Sequence, residues 1–272
     1  MTALATPFQD GQVDFASLKK LMDWQVSQGV DGFVVNGTTA ESPTLSADEV
    51  REIFLAVQGA APKSAPLIVG TGSNATSATV SASQRAEAWG ADAVLVVVPY
   101  YNRPPQRGLI EHFQTVASSV SIPVILYNVP GRTVTGLELE TIRILSEHKN
   151  IIGIKEASGN LDFAREIKRT CGENFLLFSG DDATADEFQK LGGQGVISVA
   201  SAIIPRAMKE LRTGQFKEVV DLLYCESSPI PVKAALYLMK IIATPEMRLP
   251  LVPLSAAWTE KLAAALTKAQ LL

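Results

Sequence analysis

Lys155 closes an apolar run, Ile151-Ile152-Gly153-Ile154-Lys155-Glu156, with the composition of a buried strand. Lysines at strand ends are usually solvated. One held in a dry setting loses hydration, which favours the neutral amine over the ammonium. A neutral amine attacks a carbonyl and forms a Schiff base. The apolar runs elsewhere end in residue types that such chemistry needs. Asn36-Gly37-Thr38-Thr39-Ala40-Glu41-Ser42 and Pro99-Tyr100-Tyr101-Asn102 follow two of them. Tyr127-Asn128-Val129-Pro130-Gly131-Arg132-Thr133 and Ser179-Gly180-Asp181-Asp182 follow two more. A phenol such as Tyr127 or Tyr101 can shuttle protons as a carbinolamine loses water. The Thr38 and Thr39 hydroxyls can hold a carboxylate or relay protons, and Arg132 can grip a second carboxylate through two parallel hydrogen bonds. Each has a plainer reading: Tyr101 as an interface aromatic, the threonines as loop hydrogen-bonders, Arg132 as a surface turn residue.

A scaffold must bring these ends to one face. Eight short apolar runs are expected as strands: Ala3–Ala5, Gly32–Asn36, Leu67–Thr71, Ala93–Pro99, Val124–Asn128, Ile151–Lys155, Phe175–Gly180 and Val196–Ala200. Helical stretches alternate with them, at about 15–28, 46–59, 75–89, 107–119, 137–147, 160–170, 182–191 and 205–213. Ser46 and Glu49 make a capping box, and Gly90 is a helix stop. The strands are continuous and β-branched, as befits parallel strands covered on both faces. Eight β-then-α units predict an α/β fold, a (β/α)8 TIM barrel over residues 1–214, with its active site at the strand C-termini. Residues 215–272 read as a C-terminal helical appendage, with helices at 216–224, 230–243 and 255–270.

The 272 residues are 47% hydrophobic and 19% charged, enough for a large core, and the net charge of −4 gives no general nucleic-acid surface. The apolar runs are far too short to span a bilayer, and the start lacks a basic, then apolar, signal segment. A cytoplasmic protein with no membrane partner is expected. Cys171 and Cys225 read as free thiols, and His112 and His148 as scattered surface histidines without metal-binding spacing.

Gly37-Thr38-Thr39-Ala40-Glu41, Pro99-Tyr100-Tyr101-Asn102, Tyr127 through Thr133 and Gly153-Ile154-Lys155-Glu156 together resemble the dihydrodipicolinate synthases. These belong to the pyruvate-dependent lyases, as does N-acetylneuraminate lyase. The likeness runs over nearly the whole chain, through Pro229-Ile230-Pro231-Val232-Lys233. It implies pyruvate bound as an imine on Lys155, with the enamine attacking L-aspartate 4-semialdehyde in lysine and diaminopimelate biosynthesis. Tyr127 is then the proton donor and acceptor, with Thr38 and Tyr101 as relay partners. Thr39, Gly180 and the backbone at Ile197 fall on the substrate side, and Arg132 takes the semialdehyde carboxylate. No metal and no resident cofactor are implied. Tyr101 is expected to serve a neighbouring subunit's site, so at least a dimer, and usually a homotetramer, is implied.

The chain departs from the family pattern in places. Ala40 replaces a glycine, which is costly only if that position needs a positive φ. The start and the segment between Leu211 and Pro229 are short, which bears on the packing of the last helices and on the assembly. Where regulated relatives hold lysine, this chain has Ala47, Val50 and Ala78 beside Asn74 and Tyr100, so weak or no inhibition by lysine is expected. The runner-up is another pyruvate-dependent aldolase of the group, a sialic-acid lyase or sugar-acid aldolase, for which the Pro-Gly-Arg-Thr loop is a poor match. A nucleotide-dependent oxidoreductase rests only on Gly192-Gly193-Gln194-Gly195, which precedes a strand and lacks the dinucleotide spacing. A keto-acid sensor would not need the Lys-Tyr-Thr-Tyr set.

Overall fold

The computed structural model describes residues 1–272. In chain order the elements are β1 (Thr2–Ala3), β2 (Phe8–Gln9), β3 (Gln12–Val13), α1 (Phe15–Ser27), β4 (Phe33–Val35) and α2 (Ala47–Ala60). Then come β5 (Leu67–Gly70), α3 (Thr76–Trp89), β6 (Ala93–Val97), α4 (Gln106–Ser118), β7 (Val124–Asn128) and the single turn α5 (Pro130–Thr133). After these follow α6 (Leu139–Ser146), β8 (Ile151–Glu156), α7 (Leu161–Cys171), β9 (Leu176–Ser179), α8 (Ala185–Lys190) and β10 (Gly195–Val196). The chain closes with α9 (Pro205–Lys209), α10 (Lys217–Leu222), α11 (Ile230–Leu238) and α12 (Ala256–Lys268).

Two compact units divide these elements: Pro66–Ile197, and Met1–Ala65 together with Ser198–Leu272. In the first, β5 to β10 are parallel neighbours in chain order. Val94, Leu95 and Val96 are all buried, as are Ile125 and Leu126, so these strands have no polar face. That is the physical reason for their unbroken apolar runs, since helices cover one side and the strand interior the other. Helix α4 turns Leu109, His112, Phe113, Val116 and Ala117 inward, the i, i+3, i+4, i+7 stripe of an amphipathic helix.

In the second unit β1 pairs with β4 in parallel, Thr2 opposite Phe33, and Thr2 bridges to Ser198. A buried polar knot supports that bridge. Ser201 donates to the Thr2 hydroxyl at 2.8 Å, Thr2 donates to Gln25 Oε1 at 2.7 Å, and Gln25 Nε2 reaches the Ala202 carbonyl at 2.9 Å. The hairpin β2–β3 precedes α1, whose first turn is capped by Asp14.

The capping box forms as expected: Ser46 Oγ accepts from Glu49 N, and Glu49 Oε2 accepts from Ser46 N at 2.8 Å. Gly90, at φ 93°, ends α3. Several expected elements are shorter. The helix at 205–213 stops at Lys209 and the one at 230–243 at Leu238. Both end through a left-handed residue that is not glycine, Leu211 (φ 50°) and Lys240 (φ 58°). Arg212 N then bonds back to the Ala207 carbonyl and Ile241 N to the Leu236 carbonyl. The run Val196–Ala200 is strand only at its start, because Ser198 Oγ accepts from Ser201 N at 2.8 Å and draws the chain into a 3-10 turn. Helix α8 begins at Ala185 instead of 182, since Asp181 Oδ2 holds both the amide and the hydroxyl of Thr184 in a turn.

The surface placement of His112 is corrected. It is buried, inside the apolar stripe of α4, with Nδ1 3.0 Å from Thr76 Oγ1, and burial pushes its imidazole down to about 4. His148 is half-buried and meets Ser118 Oγ at 3.1 Å.

Candidate active site

Lys155 and Tyr127 stand directly opposite on the parallel strands β8 and β7. Directly paired residues project to the same side of a sheet. The Lys155 Nζ accordingly lies 4.3 Å from the Tyr127 ring centroid, with the lysine only 6% exposed and the tyrosine equally buried. The amine and the phenol thus share one dry space. On the other flank of Lys155, a Cβ built on Gly180 would stand 2.8 Å from Lys155 Cε and 2.6 Å from Ala157 Cβ. Only glycine leaves room for the lysine stem there, so the contact of Gly180 in this structure is with Lys155 itself.

Glu156 points away from Lys155 and is buried. Its Oε2 accepts from Asn128 Nδ2 at 2.7 Å and its Oε1 from Ser158 N at 2.6 Å, while burial pushes the carboxyl up. Asn128 Oδ1 in turn accepts from Leu137 N at 3.0 Å. This brace fixes both ends of the loop that carries Arg132. Within that loop Thr133 Oγ1 donates to the Thr135 carbonyl at 2.7 Å, and Val134 is held at φ 64°. A β-branched residue in the left-handed region costs on the order of 1–3 kcal/mol, and such strain gathers at functional loops. Arg132 itself is exposed on α5.

Tyr101 does not join Lys155 and Tyr127. Its ring is 87% exposed and its backbone is left-handed at φ 75°, followed by Arg103 at φ 47°. Asn102 braces the turn by donating from Nδ2 to the Asn74 carbonyl at 2.8 Å. Ile197 is buried, and its N–H is spent on the Ser179 carbonyl at 2.9 Å.

Thr38 and Thr39 lie in the other unit, in a 3-10 turn directly after β4. Ala40 needs no positive φ; the left-handed residue is Glu41, at φ 58°. The alanine therefore costs little here. Residue types and spacing did not point to what holds this turn. Glu41 Oε1 accepts from Lys233 Nζ at 2.7 Å, both side chains being fully buried, and Oε2 accepts from Arg248 N at 3.0 Å. Burial pushes the Lys233 ammonium down, and Glu41 opposes that shift. Arg248 also engages Glu49, whose carboxyl it pulls down to about 2. The only sign of this cluster in the sequence is Lys233 in the midst of an otherwise apolar stretch.

A buried lysine beside a buried tyrosine, at the ends of parallel strands alternating with helices, fits a lyase built on a (β/α)8 barrel with C-terminal helices. The chain belongs to the dihydrodipicolinate synthetase family, whose model matches residues 1–269. A 4-hydroxy-tetrahydrodipicolinate synthase of Bdellovibrio bacteriovorus is 53% identical over 281 residues, covering 98% of this chain and 96% of the relative. The dihydrodipicolinate synthase structure from Thermotoga maritima matches with a TM-score of 0.96 at 37% identity, covering 100% of this chain and 98% of that one. The chloride-inhibited enzyme from Acinetobacter baumannii, complexed with pyruvate, matches with a TM-score of 0.96 at 40% identity, over the same shares. These relatives favour the synthase over the other aldolases, the oxidoreductase and the sensor, and place the chain among the lyases of lysine and diaminopimelate biosynthesis. Gly192-Gly193-Gln194-Gly195, the only support for a nucleotide site, leads out of α8 and into the first residue of β10.

Proposed function

We propose that the chain condenses pyruvate with L-aspartate 4-semialdehyde through an imine on Lys155. The observation that carries this is the pairing of a buried lysine amine with a buried tyrosine ring 4.3 Å away. The amine attacks the keto carbon, the carbinolamine loses water, and a methyl proton leaves to give the enamine. The enamine carbon then attacks the aldehyde, and attack by the substrate's own amino group closes the ring and frees Lys155. Each step needs a proton carrier at the nitrogen or its former oxygen, and Tyr127 is the phenol in position to serve. Thr38 and a neighbouring subunit's Tyr101 extend the relay; the 87% exposure of Tyr101 accords with a role outside its own subunit. Thr39 and the Ile197 backbone bind pyruvate on this reading. Gly180 keeps the lysine channel open, and Arg132 receives the semialdehyde carboxylate. The pyruvate complex of the Acinetobacter relative supports the keto-acid assignment.

The imine on Lys155 supplies the electron sink that the carbon–carbon bond formation needs, so the proposed mechanism calls for no resident cofactor or metal. The assembly is a homotetramer whose smallest active form is the dimer, and the setting is cytoplasmic. No helix is long and apolar enough to cross a membrane. Borohydride reduction in the presence of pyruvate tests the reading. A reduced three-carbon adduct should appear on the peptide containing Lys155. Its appearance elsewhere, or not at all, sinks the mechanism.

A further inference from the structure

Every polar atom of Glu41 is engaged in holding the turn that bears Thr38 and Thr39. Its N–H donates to the Thr38 carbonyl at 3.1 Å, closing the turn. Its carbonyl accepts from both the amide and the hydroxyl of Thr44, each at 2.9 Å. Its carboxylate takes Lys233 Nζ from α11 and the Arg248 amide. Glu41 is the anion that Lys233 Nζ pairs with directly, with Glu246 acting on it from farther off, and the Nζ lies 4.3 Å from the Phe8 ring, which the Arg248 guanidinium also approaches at 4.4 Å. Arg248 grips Glu49 through both of its terminal nitrogens and the Thr44 carbonyl at 2.9 Å, so the segment from Glu41 to Glu49 is clamped at both ends.

A fully buried ion pair is a poor device for stability, because desolvation offsets most of its Coulomb attraction and apolar residues of similar volume do as well. What it supplies is a fixed distance and direction. Glu41 needs both, since its left-handed backbone is disfavoured for a residue bearing a side chain. We propose that the Glu41–Lys233 pair is a positioning device for the Thr38–Thr39 turn, which makes Lys233, a residue remote from the reacting atoms, a determinant of pyruvate binding and proton relay. The inference rests on the roles given above to Thr38 and Thr39.

The test uses the full-length enzyme with Lys233→Met and with the double variant Glu41→Gln/Lys233→Met, which removes both charges. Steady-state constants are measured for each substrate, alongside thermal unfolding and borohydride trapping. In the double variant, near wild-type Tm is expected together with a kcat lower by about 10- to 100-fold, the scale of a small misplacement of catalytic groups. The KM for pyruvate rises severalfold, while the KM for the semialdehyde stays within about twofold, because Arg132 sits on a separate loop with its own Glu156–Asn128 brace. The single variant shows the same kinetic split with a lower Tm. Wild-type kinetics in the folded double variant, an equal rise in both KM values, or failure of both variants to fold would each overturn the proposal. Wild-type trapping on Lys155 with unaltered variant kinetics refutes the positioning role alone; absence of wild-type trapping refutes the imine reading beneath it.

Discussion

At the scale of single residues, the lysine and its tyrosine carry the sharpest expectations. Lys155→Ala abolishes pyruvate trapping and turnover together. Tyr127→Phe retains slow trapping and lowers kcat by about 10²–10⁴-fold, the range for loss of a proton-transfer group, with circular dichroism unchanged. His112 sets a pH response that has nothing to do with catalysis. Unfolded, it accepts a proton below about 6.5; folded, it refuses one until about 4. The unfolded chain therefore binds more protons between these values, so stability is full above the upper one and falls by a few kcal/mol towards the lower. Urea unfolding from about pH 7 to about 4.5 should show this slope, and His112→Leu should flatten it. The burial of Lys155 beside Tyr127 was legible because lysine is out of place in an apolar strand. His112 was not, since a histidine at a helical inward position looks the same on paper as one facing outward until its neighbours are known. Glu41 and Lys233 were illegible for a similar reason: they are 192 residues apart, and nothing local announces a partner.

Among the elements, the strands were read from continuous β-branched runs, and the helices from their periodicity. What escaped was where some of them stop. Glycine marks the end of α3 at Gly90, but α9 and α11 end through Leu211 and Lys240 in the same backbone conformation. Side chains of those types carry no turn signal. A testable consequence is that Lys240→Gly should raise stability by about 1 kcal/mol, because the exposed lysine bears the left-handed penalty and glycine does not. Calorimetry on the two proteins measures it, and a lower Tm would contradict the account. Core strand residues set the opposite extreme. Leu126, wholly buried on β7, should cost about 2–5 kcal/mol as Leu126→Ala, read from denaturant midpoints.

For the molecule as a whole, the question is whether Tyr101 acts across subunits. Tyr101→Phe and Lys155→Ala are each expected to be nearly inactive. Mixed after partial denaturation and refolded together, they should regain activity, since a hybrid site would combine an intact lysine with a partner's intact phenol. No recovery, with hybrids demonstrated by mass, would place Tyr101 outside the relay. L-lysine should inhibit weakly or not at all, because Ala47, Val50 and Ala78 offer no ion partner for its ammonium or carboxylate; a submillimolar inhibition constant would contradict this.

One unit is assembled from the first 65 residues and everything after Ile197. The Glu41 carboxylate leaves the ribosome 192 residues ahead of its cation. At about 5–20 residues per second, it spends some 10–40 s without a partner during synthesis. A burial that cannot be completed until translation is almost over leaves the N-terminal strands and helices exposed for that interval, so the nascent chain, more than the finished enzyme, is where chaperones have work to do.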